Sequence, residues 1–182
     1  VNSDLSATEK EKLLAIARES IVSHLRKRQI PDYTIEEENL SARRGCFVTI
    51  KCEGKLRGCL GQFTSDKPLY QQVREMAIAA ATRDPRFYPM GDEDAESFAL
   101  EISVLSPLKK IETIEEIEVG KHGLYIEKNF YRGVLLPQVA VEYCWDRDTF
   151  LSQTCLKAGL DSDDWKEEAD IFIFSAEVFG DS

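Results

Sequence analysis

The chain has 182 residues with 33 acidic against 23 basic side chains, a formal charge of −10, so its long-range field repels phosphate backbones and disfavours nucleic acid as a partner, leaving room only for a local basic patch. With 43% hydrophobic and 31% charged residues it can bury a core without disulfides or a structural metal. Its apolar runs fall short of the ~18 residues of a membrane span, and Val1 to Leu5 lacks the pattern of a signal peptide. A soluble, cytoplasmic protein with no membrane partner is expected.

Ser6 followed by Glu9 is a capping box, and Leu13, Leu14, Ala17, Ile21 and Leu25 then recur at helical spacing, which predicts a first helix over Ala7 to Arg28. The acidic stretch Glu36-Glu37-Glu38 has no apolar period and reads as a solvated linker. From Gly45 the pattern becomes alternation: Cys46, Val48, Ile50 and Cys52 share one strand face, and Phe47, Thr49 and Lys51 the other. Leu56 to Gln62 returns as a second strand. A two-residue loop would pair Cys52 with Lys55; a three-residue loop, Glu53-Gly54-Lys55, pairs it with Leu56 and places Leu56 and Leu60 with the apolar residues. The second register is expected, with Arg57 and Cys59 together beside Thr49 and Lys51.

Pro68 opens a helix whose stripe is Leu69, Val73, Met76, Ala77 and Ala80, closing before Asp84-Pro85. Phe98, Leu100, Ile102 and Val104 mark a strand that Pro107 stops, and Leu124–Glu127 with Gly133–Leu136 form a second hairpin. Asp146 caps a helix carrying Phe150, Leu151, Thr154, Cys155 and Ala158, ended by Gly159, and Ile171 to Phe179 is a final strand. Hairpins outnumber β-helix-β crossovers, so the expected class is α+β: a mainly antiparallel sheet with packed helices in one domain of two interlocked lobes, the larger over roughly residues 1–110 and the smaller over roughly 111–182.

The cysteines are Cys46, Cys52, Cys59, Cys144 and Cys155; they form no C-x-x-C pair, and no histidine stands where it would complete a zinc site. Free, mostly buried thiols are expected, with no metal, and Cys144 beside Trp145 and Cys155 on its helix read as packing residues. The unusual segment is Leu56-Arg57-Gly58-Cys59-Leu60-Gly61, where glycines interrupt a strand. Glycine there marks a bulge or a close backbone approach, to a ligand or to another segment. A guanidinium two residues from Cys59 on one face would favour its thiolate form, making it a nucleophile. The alternative is a small buried cysteine with an arginine paired to an acid.

At this segment the chain resembles the AMMECR family, and the likeness continues through Asp84-Pro85-Arg86-Phe87, Glu101-Ile102-Ser103-Val104-Leu105, Leu135-Leu136-Pro137-Gln138-Val139, Trp145 and Lys157-Ala158-Gly159-Leu160. The family usually carries isoleucine where Leu60 stands. The resemblance implies a two-lobed α+β fold with no assigned reaction and no known cofactor. It also implies a pathway shared with Memo-like and radical-SAM partner proteins, because relatives occur beside or fused to them, and it favours a functional Cys59.

Two function classes follow. One is an enzyme using Cys59 as a nucleophile or ligand-holding thiol, with Arg57, Gly58, Gly61, Arg86 and Gln138 binding an acidic small molecule and Glu142 or His122 moving protons. Glu101 is a further carboxylate candidate. The other is a binding or adaptor module with a cleft at the glycine-rich strand. Arg83 and Arg86 either grip a carboxylate or phosphate, or pair with Asp84 to stabilise their own turn.

Overall fold

The computed structural model describes residues 4–181, and the described chain divides into two compact units. The first runs to Leu105 and resumes at Glu177; the second is Ser106–Ala176. Helices α1 (Ala7–Leu25), α2 (Glu38–Ser41), α3 (Leu69–Thr82), α4 (Pro137–Glu142) and α5 (Arg147–Ala158) accompany two four-stranded sheets. This is the expected α+β class.

In the first unit the sheet order is β2-β1-β3-β8, formed by β1 (Cys46–Cys52), β2 (Lys55–Gln62), β3 (Ala99–Leu105) and β8 (Ala176–Gly180). The capping box of α1 forms as read, Glu9 N donating to Ser6 Oγ at 3.1 Å and Ser6 N to Glu9 Oε2 at 2.8 Å. The helix ends at Leu25 rather than Arg28, because Lys27 takes a left-handed φ of 54°. The acidic stretch is also more than a linker: α2 begins within it, at Glu38, and buries Leu40 completely. One sheet face sends Val48, Ile50, Leu100 and Ile102 into a core shared with α1 and α3. Alanines on α3 let its backbone come so close to β2 that a Cβ on Gly58 would lie 2.1 Å from the Ala80 carbonyl oxygen.

The β1–β2 register corrects the expected loop. Cys52 pairs with Lys55 across the two-residue loop Glu53-Gly54, whose φ values are 51° and 74°. Positive φ at both central residues suits a hairpin turn whose twist matches the strands. Lys51 then pairs with Leu56, so Leu56 stands 41% exposed instead of joining the core. The register shifts next, Ile50 pairing with Gly58, so Arg57 is the extra residue of a bulge. Beyond it the parity is as expected, with Val48 opposite Leu60 and Thr49 opposite Cys59. The turn sets the first pairs and burial sets the rest; the bulge reconciles them.

The second unit has sheet order β4-β7-β5-β6, formed by β4 (Lys109–Lys110), β5 (Gly123–Lys128), β6 (Tyr131–Leu135) and β7 (Asp170–Phe174). Its core gathers Leu124, Ile126, Phe150, Leu151, Cys155, Ile171 and Ile173. Asp146 caps α5 through Thr149 N at 2.8 Å, and Gly159 closes it at φ 85°. The expected single final strand is instead β7 and β8 in different sheets. Ser106 N donates to Ser175 O and Ser175 N to Ser106 Oγ, both at 2.8 Å, which takes the Ser175 backbone out of any ladder. Cys144 is likewise not a packing residue: it is exposed at φ 54°. Cys155 is fully buried, and burial pushes its thiol up from the ordinary range. Cys155→Ala should therefore cost about 1–2 kcal/mol through lost packing, read as a lowered urea midpoint. An unchanged midpoint would show that this helix face is not well packed.

Candidate functional site

The face of the first sheet opposite its core carries Thr49 and Lys51 from β1, Cys59 from β2 and Glu101 from β3. Thr49 pairs with Cys59 on one side and with Glu101 on the other, so Cys59, Thr49 and Glu101 form a row across three strands. Thr49 Oγ1 donates to Cys59 Sγ at 3.2 Å. Lys51 Nζ lies 3.4 Å from Glu101 Oε2, with both side chains 42% exposed, a pair that adds little to stability. The thiol is half-buried, reachable and hydrogen-bonded.

Strand β2 is the sheet edge, and the Cys59 amide is not left to solvent: it donates to Asp84 Oδ2 at 3.0 Å. Asp84 Oδ2 also receives Arg86 Nη2 at 2.7 Å, while Oδ1 receives both Arg86 N and Nε at 3.0 Å. The Asp84 side chain is 3% exposed and that of Arg86 is 56% exposed, so a buried acid holds an arginine out at the surface. The Arg86 guanidinium, together with the Cys59 and Arg86 amides, keeps the Asp84 carboxyl well below the usual carboxylate range against the opposing pull of burial. Arg86 in turn is raised, chiefly by its hydrogen bond to Asp84. The two sequence motifs thus meet in one constellation, and the Asp84–Arg86 pair forms whether or not Arg86 also holds a ligand.

Arg57 is turned elsewhere by its bulge. Its Nη1 donates to Tyr88 O at 2.8 Å and its Nη2 lies 3.9 Å from Asp94 Oδ2. The thiol that Arg57 influences is Cys52, where burial raises the pKa and Arg57 pulls it back. Gly58 and Gly61 do mark close approaches, and both are to the chain itself: a Cβ on Gly61 would lie 2.3 Å from Cys46 O and 2.5 Å from the Phe47 ring. Cys46 is fully buried, its thiol pushed up to about 12.

Gln138, Glu142 and His122 belong to the second unit. Gln138 and Glu142 stand exposed on α4, while His122 Nδ1 accepts from Glu118 N at 3.0 Å. Burial, helped by Lys121, lowers the His122 pKa. Among the described residues no group of His, Cys, Asp and Glu is placed to hold a metal ion, and no helix is long and apolar enough to cross a membrane. Sequence reasoning placed Thr49 beside Cys59 without giving it a role, and it read Asp84 only as a partner for an arginine, because a bond to a strand amide 25 positions away has no local signal.

The AMMECR1 family model matches residues 14–179, which is nearly the whole chain. The chain belongs to the AMMECR1 family. It is 42% identical over 185 residues to protein MK0488 of Methanopyrus kandleri, covering 96% of this chain and 89% of that one. Protein MJ0810 of Methanocaldococcus jannaschii is 44% identical over 151 residues, covering 78% and 75%. The crystal structure of the uncharacterised protein PH0010 from Pyrococcus horikoshii superposes with a TM-score of 0.77 at 38% identity, over 94% of this chain and 91% of that one. These AMMECR1 relatives bear generic names that state no activity.

Proposed function

We propose that this AMMECR1 chain is a cysteine-dependent enzyme acting on a small acidic molecule, with Cys59 as the nucleophile or ligand-holding thiol and Arg86 orienting the anionic group. One observation carries the reading: Cys59 Sγ accepts a hydrogen bond from Thr49 Oγ1, and Asp84 Oδ2 joins the Cys59 amide to the Arg86 guanidinium. A hydrogen-bond donor and a guanidinium are what a sulfur needs to carry negative charge as it attacks, and a planar guanidinium also suits a carboxylate or phosphate. Arg57 ties β2 to the segment that carries Tyr88. Glu142 and His122 are the sequence's candidates for moving protons, and Glu101 is the carboxylate that shares the row of Cys59. A pathway with Memo-like and radical-SAM proteins is what the family resemblance implies, and a cytoplasmic setting is supported by the free cysteines.

A docking module is the second reading, favoured by Tyr88: the residue is 91% exposed while its backbone is tied to Arg57, an anchored aromatic offered to a partner. Timed iodoacetamide labelling read by mass spectrometry separates the two. Cys59 should label faster at neutral pH than the exposed Cys144, with Cys46 and Cys155 labelling only on unfolding. Cys59 slower than Cys144 would end the nucleophile reading and leave the docking one.

A further inference from the structure

We infer that Asp84 is a positioning residue for this site: its single carboxylate gathers the Cys59 amide and the Arg86 guanidinium on one oxygen, so that it sets how much positive charge Cys59 meets. The inference deepens the proposed cysteine-dependent function and rests on it for its biological meaning. Its geometric basis is independent.

A turn of the type Asp-Pro-Arg needs only the local bonds from Arg86 N and its side chain to Asp84. The bond from Cys59 N to Asp84 Oδ2, at 3.0 Å and 25 positions away, does nothing for that turn. It satisfies an outward amide of the edge strand and locks the backbone that carries the thiol. The bidentate grip on Nε and Nη2 then fixes the plane of the Arg86 guanidinium. Because the carboxylate is nearly sealed from water, its charge stays close to the guanidinium and masks part of it. Asp84 thus both delivers Arg86 to Cys59 and tempers it.

The other charged groups about Cys59 come in pairs that largely cancel. Arg57 on β2 faces Asp94, and Lys51 on β1 faces Glu101 on β3. The Asp84–Arg86 pair, from the loop after α3, is the one joined to Cys59 through its own amide.

The test is the pH dependence of Cys59 alkylation by iodoacetamide in the wild type, Asp84→Asn, Arg86→Gln and Arg86→Lys. Asp84→Asn keeps an acceptor for the amide but unmasks Arg86, so the alkylation midpoint should fall by about half to one pH unit. Arg86→Gln leaves the carboxylate unopposed and should raise it by a similar amount. Arg86→Lys keeps the charge without the planar fork and should not restore the wild-type profile.

Shifts of Asp84→Asn and Arg86→Gln in the same direction, or no shift in either, would overturn the inference. So would an Arg86→Lys profile identical to the wild type, since charge alone would then suffice. If Asp84→Asn does not fold, the arginine variants decide: an Arg86→Gln midpoint that does not rise, or an Arg86→Lys profile identical to the wild type, overturns the inference. The proposed enzyme reading fails separately: a wild-type Cys59 slower than Cys144, with opposed shifts intact, removes the reactive thiol and keeps the role of Asp84. A fast Cys59 without the shifts does the reverse.

Discussion

Gly58→Ala is expected to destabilise the first unit by about 3 kcal/mol, at the upper end of overpacking costs. The added methyl would lie 2.1 Å from Ala80 O and 3.0 Å from Ala80 C. Both atoms are backbone, so no side-chain rotation relieves the clash; either α3 or β2 must move. Because Gly58 immediately precedes Cys59, movement of β2 also pulls on the amide that Asp84 holds. Gly54 supplies the control. A Cβ there meets nothing within 4 Å, and only its φ of 74° opposes substitution, a conformation that asparagine tolerates. Gly54→Asn should therefore cost less than about 1 kcal/mol. Urea melts of the two variants, followed by a probe of the first unit, should be well separated. Equal midpoints would mean that the close approach of α3 to β2 is unimportant, and the glycine at position 58 would need another reason.

How far the sequence foretold this molecule depends on the range of the interaction. Ser6 with Glu9, Asp146 with Thr149, and Gly159 were legible because a cap is made by residues a few positions apart. The alternation of Val48 and Ile50, and of Leu100 and Ile102, told which faces enter the core, since burial acts on every second residue of a strand. The bulge at Arg57 was not legible. It arises from a conflict between a Glu53-Gly54 turn, which is local, and the docking of Gly58 on α3, which is not. Likewise the run from Ile171 to Phe179 contains no glycine or proline to mark a break, and only Ser106, far back in the chain, divides it at Ser175. The helix α4 did carry a signal, Pro137 in its first turn, but six residues are too few for a periodic pattern to show. For the site, Cys59 and Arg86 were readable as chemistry. Their connection through Asp84 was not, because a side chain that accepts from a distant edge-strand amide leaves no spacing to recognise.

Arg44→Ala should cost about 2–3 kcal/mol, whereas Arg44→Met should stay within about 1 kcal/mol of the wild type. The Arg44 side chain is 4% exposed. Its Nε donates to Leu105 O at 2.9 Å, and its Nη2 is 3.9 Å from Glu177 Oε2. Its Nη1 is buried without a hydrogen-bond partner, and burial depresses the guanidinium below its ordinary range despite Glu177. The cation therefore pays a desolvation penalty that its partners return only in part. Alanine removes the bond to Leu105 and most of the packed stem, leaving a cavity and an unsatisfied carbonyl. Methionine loses the same bond but fills the space and relieves the orphaned donor, so gain and loss nearly cancel. Glu177 is not stranded in either variant, because both its oxygens also accept from Leu5 N at 3.2 Å and Lys10 Nζ lies 3.7 Å away. Denaturant melts of the two variants against the wild type check the contrast. If methionine costs as much as alanine, the charge itself holds this corner of the first unit together, and the unpartnered nitrogen is offset by an interaction stronger than the contact to Glu177.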